Sequence, residues 1–145
     1  MRITYIIIIL IIVIICDGEY YELVLQNWCN KSTYNIHGLW LNYDNNSYPQ
    51  YCKKTSYTQP KSILLEEMNQ YWDNCGNKDY FWKHEWFKHG TCTNMTEEIF
   101  FNNVIRLYKN FSQSYITNIC KYSKSCIIAY YDLLLNKYVK WRIYL

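Results

Sequence analysis

Glycine and proline are scarce in this chain of 145 residues, which has four Gly and two Pro, and its net charge is only +3. So few Gly and Pro exclude collagen-like and linker-rich architectures. This net charge is too small for the dense basic surface of a protein that binds duplex DNA tightly. The length suits one ordinary domain. Half of the residues are apolar and 19% are aromatic, so a folded core is expected.

An apolar run near the start of the chain is too short to cross a membrane. Residues 5–15 are apolar without interruption, Arg2 precedes them, and residues 16–18 are small or polar. A membrane span needs ~20 residues, whereas this length and these flanks are typical of a secretory signal peptide. We therefore expect residues 1–18 to be cleaved, leaving residues 19–145 as one exported domain without stable membrane association. An uncleaved signal anchor is the alternative.

The number of cysteines supports export of the domain. Seven Cys are present, and loss of Cys16 with the signal leaves six, the even number that a secreted disulfide framework requires. The residues themselves leave the pairing of the six open. Four N-x-S/T sequons predict glycosylation at the surface, at Asn30, Asn45, Asn94 and Asn110.

Strand-like patterns occur at both ends of the domain. Strands are predicted at residues 20–26 and 34–39, which are rich in strand-forming side chains, and a polar loop is predicted at residues 42–49. Near the C-terminus, residues 139–143 alternate between apolar and basic side chains. This alternation predicts a closing strand.

Helical spacing of apolar residues occurs between these strands. One helix is predicted after an N-cap at Ser62, a second over residues 80–88 and a third from about Glu97. Trp86 is expected to anchor the second helix from behind, and Gly90 is expected to end it. Strands and helices do not alternate regularly, which indicates an α+β domain.

The chain has only three histidines, and two of them share the second predicted helix. On an ideal helix with His84 at zero, Lys88 falls at about 40°, Glu85 at about 100° and His89 at about 140°. One arc would therefore carry two imidazoles, a carboxylate and an ammonium group. The third histidine, His37, lies in the second predicted strand.

Two kinds of chemistry could use such a set. A zinc protease helix carries H-E-x-x-H with its histidines four residues apart, whereas His84 and His89 are five apart, so a metal site is not expected. Two imidazoles can instead act as base and acid near neutral pH, without a cofactor. RNA supplies its own nucleophile, the 2′-OH, and DNA would be inert. The alternative is a surface helix with solvated histidines and an ordinary Glu–Lys pair.

The segments YNIHGLW (residues 34–40) and FWKHEWFKHGTC (residues 81–92) resemble the two active-site segments of the ribonuclease T2 family. Their order and separation also fit, and the resemblance extends over about residues 20–111. It implies a secreted or lysosomal endoribonuclease of single-stranded RNA. It also implies a disulfide-stapled α+β fold, with a central antiparallel sheet and packed helices.

The resemblance implies a role for each residue of the two segments. His89 would be the base and His37 the acid in a transphosphorylation that gives 2′,3′-cyclic phosphate and then 3′-phosphate products. His84 would bind the phosphate. Glu85 and Lys88 would polarise the phosphate and stabilise the transition state.

The resemblance also implies two base-binding sites. The matches to the family imply that Trp40 and Tyr48 would stack on the base upstream of the cut. Such base–aromatic stacking tolerates any sequence. Asn42 would read the edge of that base. Gln26 and Phe81 would line the site of the downstream base.

The disulfides that the resemblance implies are Cys52–Cys92 and Cys29–Cys75, which leaves Cys120–Cys126. Leu41 stands where family members usually have Pro. By comparison with the family we expect an abbreviated C-terminal part. The leading hypothesis is therefore a secreted or vesicular, monomeric endoribonuclease. Its alternatives are a secreted RNA-binding or cytotoxic module that lacks turnover, and a structural glycoprotein.

Overall fold

The computed structural model describes residues 19–27, 32–43, 45–121, 123–132 and 137–138. Within them, four strands form an antiparallel sheet in the order β2-β1-β3-β4, and four α-helices accompany it, so the α+β prediction is confirmed. The strands are β1 (Glu19–Gln26), β2 (Asn35–Tyr43), β3 (Ser125–Asp132) and β4 (Lys137–Tyr138). The helices are α1 (Ser62–Tyr71), α2 (Lys78–Lys88), α3 (Glu97–Lys109) and α4 (Gln113–Cys120).

Strand β2 is longer than its sequence pattern predicts. It was expected to end at Leu39 but continues to Tyr43, because residues 40–43 pair with the start of β1. Only residues 42 and 43 of this extension fall within the loop predicted at residues 42–49, and pairing with β1 draws them into the strand. The extension places Trp40 and Asn42 on the same strand as His37. The predicted closing strand at residues 139–143 lies outside the described residues.

The helix starts differ in how they are capped. Ser62 was expected to be the N-cap of α1, but it is the first helical residue, and the N-cap Lys61 makes no side-chain capping bond. Helix α2 begins two residues before its predicted start because the side chain of Asn77 accepts a hydrogen bond from the Tyr80 N–H. Helix α3 begins at Glu97, as predicted, after the N-cap Thr96.

The core lies between one face of the sheet and helices α1, α2 and α3. The sheet contributes fully buried aliphatic side chains, and the helices contribute large aromatic ones. The largest fully buried side chains include Trp72, Trp82, Phe100 and Phe101. Burying a side chain of this size stabilises the fold by about 3 kcal/mol, so these residues hold the helices to the sheet.

Two disulfides staple the described part of the chain. Cys52 is bonded to Cys92, and Cys120 at the end of α4 is bonded to Cys126 in β3. Cys75 is disulfide-bonded, and its predicted partner Cys29 lies outside the described residues.

Three of the predicted glycosylation sites, Asn45, Asn94 and Asn110, are exposed. Asn30 and the predicted signal at residues 1–18 lie outside the described residues. Within those residues, no helix has the length and apolar character needed to span a membrane.

Candidate active site

Strand β2 and helix α2 are held together by two buried tryptophans. The Trp72 indole donates a hydrogen bond from Nε1 to the backbone carbonyl of His37, at 2.8 Å. The Trp82 indole donates in turn to the backbone carbonyl of Trp72, at 2.9 Å. Because Trp82 belongs to α2, this chain of contacts sets the distance between the two elements that carry the histidines.

Glu85 lies at the centre of the site and is 1% exposed. Its Oε2 accepts a hydrogen bond from Trp40 Nε1 at 3.1 Å, and its Oε1 lies 3.5 Å from His37 Nε2. The four residues predicted to share one arc of α2 therefore differ in burial. Glu85 and His89 turn inward against β2, whereas His84 and Lys88 are half-buried at its outer edge.

Gly38 makes room for the Glu85 carboxylate. A Cβ atom at this position would lie 2.2 Å from Glu85 Oε2 and 2.7 Å from Trp40 Nε1. No side chain fits in that space, so only glycine allows the carboxylate to reach the strand. Sequence reasoning did not single out Gly38. The available signal was a glycine inside a strand, which marks the close approach of another group.

His89 is the C-cap residue of α2 and is 4% exposed. Its ring stacks on that of Trp40, with centroids 5.0 Å apart and planes inclined by 19°. Within the described residues, its Nδ1 is buried without a hydrogen-bond partner. The nitrogen that can exchange a proton with a substrate is therefore Nε2.

Burial lowers the pKa of His89 from 6.5 to about 4. The Glu85 carboxylate opposes this shift, and positive charge on Lys88, His84 and His37 adds to it. The four other predicted catalytic residues thus all act electrostatically on His89. His89 is neutral in mildly acidic and neutral solution, which is the state that a general base requires.

Gly90 lies directly after the end of α2, as predicted, since the helix ends at Lys88 and His89 is its C-cap residue. No described glycine has a positive φ, and Gly90 begins a short 3₁₀ turn, Gly90–Cys92. A Cβ atom here would lie 2.2 Å from the ring of Trp86, which is buried as predicted. Gly90 is therefore needed because the chain passes directly over that indole.

The loop after β2 is tied to the C-terminal end of α2. The Tyr51 N–H donates to the Lys88 carbonyl at 2.9 Å, and the Cys52 N–H donates to Thr91 Oγ1 at 3.1 Å. The Cys52–Cys92 disulfide closes the same connection. Three tethers thus hold the loop beside the catalytic candidates.

The residues predicted to bind bases differ in how close they lie to the histidines and in how exposed they are. The Phe81 ring meets that of His37 edge-on, with centroids 5.4 Å apart, and Asn42 lies two residues beyond Trp40 on β2. Tyr48 lies in the tethered loop and is 53% exposed. Gln26 is 2% exposed, and its Nε2 donates to the Ile36 and Asp73 carbonyls. Burial leaves Gln26 little surface for a base.

Within the described residues, no group of three or more His, Cys, Asp or Glu side chains could hold a metal ion. The arrangement offers two imidazoles, an ammonium group and a buried carboxylate. Such a set can move protons and offset negative charge on a phosphoryl group.

Comparison with known proteins gives one consistent match. The model of the ribonuclease T2 family matches residues 5–127. Extracellular ribonuclease LE of Solanum lycopersicum is 43% identical over 79 residues, which are 46% of this chain and 34% of that protein. Intracellular ribonuclease LX of the same plant is 36% identical over 78 residues, which are 50% of this chain and 33% of that protein. The chain thus spans about a third of the length of these relatives.

The fold is also similar to that of a solved structure, the self-incompatibility-associated SF11 ribonuclease of Nicotiana alata. The TM-score is 0.59 at 25% identity, and the similarity covers 72% of this chain and 62% of that one.

Proposed function

Because the chain belongs to the ribonuclease T2 family, we propose that it is a secreted, metal-independent endoribonuclease that cleaves single-stranded RNA. The observation that carries the proposal is the link through Glu85. This buried carboxylate contacts His37 directly and reaches His89 through the Trp40 indole. The two imidazoles are thereby held in one site, but each has a different environment, as an acid–base pair requires.

His89 acts as the general base in the first step. Its lowered pKa keeps the ring neutral in mild acid, so Nε2 can take the proton from the 2′-OH of RNA. The 2′-oxygen then forms a bond to the adjacent phosphorus, and the bond from phosphorus to the 5′-oxygen breaks. The products are a 2′,3′-cyclic phosphate and a new 5′-hydroxyl end.

His37 acts as the general acid in the same step. In its protonated form it is ion-paired with Glu85, at 3.5 Å, and it gives its proton to the departing 5′-oxygen. In the hydrolytic step the roles reverse. His37 takes a proton from water, and the water oxygen forms a bond to phosphorus. The bond from phosphorus to the 2′-oxygen breaks, and His89 returns its proton to that oxygen. A 3′-phosphate results.

His84 and Lys88 stabilise the phosphoryl group. They are half-buried at the outer edge of α2, and their charges act on His89. Positive charge here offsets the negative charge that develops on the non-bridging oxygens. Export to the exterior or to an acidic vesicle is part of the proposal and is supported by the signal-like residues 1–18 and by the extracellular relative.

The test is cleavage of a short single-stranded RNA by the disulfide-bonded protein, in excess EDTA, at mildly acidic and neutral pH. His37→Ala and His89→Ala should each lower the rate by roughly a hundredfold to ten-thousandfold. Asn102→Ala, an exposed position on α3, is the matched control and should be fully active. Cleavage that survives both histidine substitutions would overturn the proposal. RNA binding without cleavage by the folded parent would instead favour a binding or cytotoxic module.

A further inference from the structure

Asn42 is held by a carboxylate that the catalytic assignments do not use. Its amide nitrogen Nδ2 donates to Glu22 Oε2 at 3.1 Å and to the Trp40 carbonyl at 3.3 Å. Glu22 lies on β1 directly opposite Trp40 and is 6% exposed. A buried carboxylate from the neighbouring strand thus contacts a half-exposed amide at the edge of the site.

These two contacts determine which way the Asn42 amide faces. A carboxylate oxygen and a backbone carbonyl only accept hydrogen bonds, so the NH₂ group must face both of them. Both amide hydrogens are then in use. Oδ1 faces away and makes no hydrogen bond within the described part of the chain. Asn42 therefore presents an acceptor and no donor to a ligand.

The acceptor stands where a stacked base would present its edge. Trp40 and Asn42 are two residues apart on β2, so their side chains lie on the same face of the strand. One face of the Trp40 indole is covered by His89. The His37 ring meets the indole edge-on, with centroids 5.3 Å apart, and Trp40 remains half-exposed. A base that packs on the exposed part of the indole would present its edge on the face of β2 that carries Asn42.

We propose that Glu22 is a positioning residue that locks Asn42 as an acceptor and so makes the site select bases with an exocyclic amino group. The inference rests on the proposed ribonuclease function and concerns the nucleotide upstream of the cut. Cytidine and adenosine are the preferred nucleosides. Uridine and inosine, which carry a carbonyl at the corresponding position, are disfavoured.

Hydrogen-bonding chemistry gives the direction of this preference. The amino group of cytosine or adenine donates to Oδ1, whereas a carbonyl oxygen in its place repels it. The ring N–H of uracil can donate to Oδ1, but the two carbonyl oxygens that flank it then lie close to the same acceptor, and Asn42 has no free hydrogen to offer either of them. An amide that was free to turn over could donate to a carbonyl, so without Glu22 the site should accept both kinds of base.

The experiment compares kcat/KM for dinucleotides that differ only in the upstream base, CpU against UpU and ApU against IpU. The parent should favour the amino base by roughly tenfold, the effect of one hydrogen bond near the upper end of its usual range. In Glu22→Leu the preference should fall below about twofold, mainly through faster cleavage of UpU. Glu22→Gln should keep the preference, because the Gln Oε1 still accepts from Asn42.

Exchanging the hydrogen-bond donor and acceptor between positions 42 and 22 tests the same contact independently. This test remains informative if Glu22→Leu does not fold. Asn42→Asp alone places two carboxylates side by side and should disturb the site. Adding Glu22→Gln supplies a donor toward Asp at position 42 and leaves a carboxylate oxygen facing outward. The double variant should therefore recover the preference for CpU over UpU.

The outcomes separate the two proposals. A parent that cleaves all four dinucleotides equally, or a preference that survives Glu22→Leu, would overturn the role of Glu22 and leave the ribonuclease function standing. A folded parent that cleaves none of them would overturn the ribonuclease function. In that case calorimetric titration with 3′-CMP and 3′-UMP decides the base preference, and equal affinity for the two would overturn it.

Discussion

The indole of Trp40 lies parallel to the imidazole of His89, with ring centroids 5.0 Å apart, and the same indole donates a hydrogen bond to Glu85. The tryptophan that the resemblance assigns to base stacking is therefore also part of the environment of His89, the proposed general base. It covers one face of His89 and helps to exclude water from it. Substitutions at Trp40 should accordingly change the protonation of His89.

In Trp40→Ala the pKa of His89 should rise from about 4 toward 6.5, because loss of burial removes the largest cause of the lowered value. Titration of the His89 ring signals by NMR measures this shift. Trp40→Phe is the matched control, since it keeps an aromatic ring over His89 and should leave most of the shift in place. An unchanged pKa in Trp40→Ala would contradict the assignment of the shift to burial.

The stability of the protein should fall in acid because of His89. A pKa that is lower in the folded state than the unfolded value of 6.5 means that the folded state disfavours the proton. The contribution is therefore fully present above about pH 6.5 and is lost as the pH falls toward 4. The loss amounts to roughly 3 kcal/mol.

Denaturant unfolding of the parent and of His89→Asn at several pH values measures this contribution. The parent should lose stability relative to the variant between about pH 6.5 and pH 4, since Asn does not titrate. Parallel curves for the two proteins over this range would show that His89 does not titrate as described.

The acidic limb of the kcat/KM profile should lie near pH 4, where His89 becomes protonated and can no longer accept a proton. Lys88→Met should move the limb to higher pH, because its positive charge contributes to the lowered pKa of His89. Lys83→Met is the matched control. It removes an exposed lysine from the same helix and should not move the limb. Equal shifts in the two variants would indicate a general effect of net charge.

Gly38→Ala should destabilise the protein by about 1–3 kcal/mol and lower its activity, because the added Cβ would meet Glu85 Oε2 at 2.2 Å. Thermal unfolding and RNA cleavage give the two readouts. The control is Gly76→Ala, where the nearest atom to the added Cβ is 3.9 Å away and there is space for it. Similar effects of the two substitutions would mean that the contact with Glu85 is unimportant.

Tyr51→Asn should stabilise the protein by about 1 kcal/mol. Tyr51 has a φ of 53°, a left-handed conformation that is unfavourable for tyrosine and that asparagine adopts more readily. Chemical denaturation measures the change. Tyr48→Asn, at a neighbouring exposed tyrosine without a positive φ, should give no gain. A Tyr51→Asn variant no more stable than the parent would argue against backbone strain at this position.

Local patterns were sufficient for the fold class, for strand β1 and for the start of helix α3. They also identified the three histidines as candidates, because residue type and spacing along one helix are local properties. The C-terminal elements α4 and β3 were not predicted. Helix α4 has only eight residues, too few for a sequence pattern to stand out, and β3 is defined by its pairing with β1.

Only the tertiary structure decided which side of α2 is covered. Helical spacing places Glu85 between His84 and His89, but its burial depends on Gly38 and Trp40 of a strand more than forty residues earlier in the chain. The orientation of the Asn42 amide likewise depends on a carboxylate of the neighbouring strand. Periodicity defines the faces of an element, whereas the partner packed against each face, and hence its dielectric and hydrogen bonds, is set by contacts between distant parts of the chain.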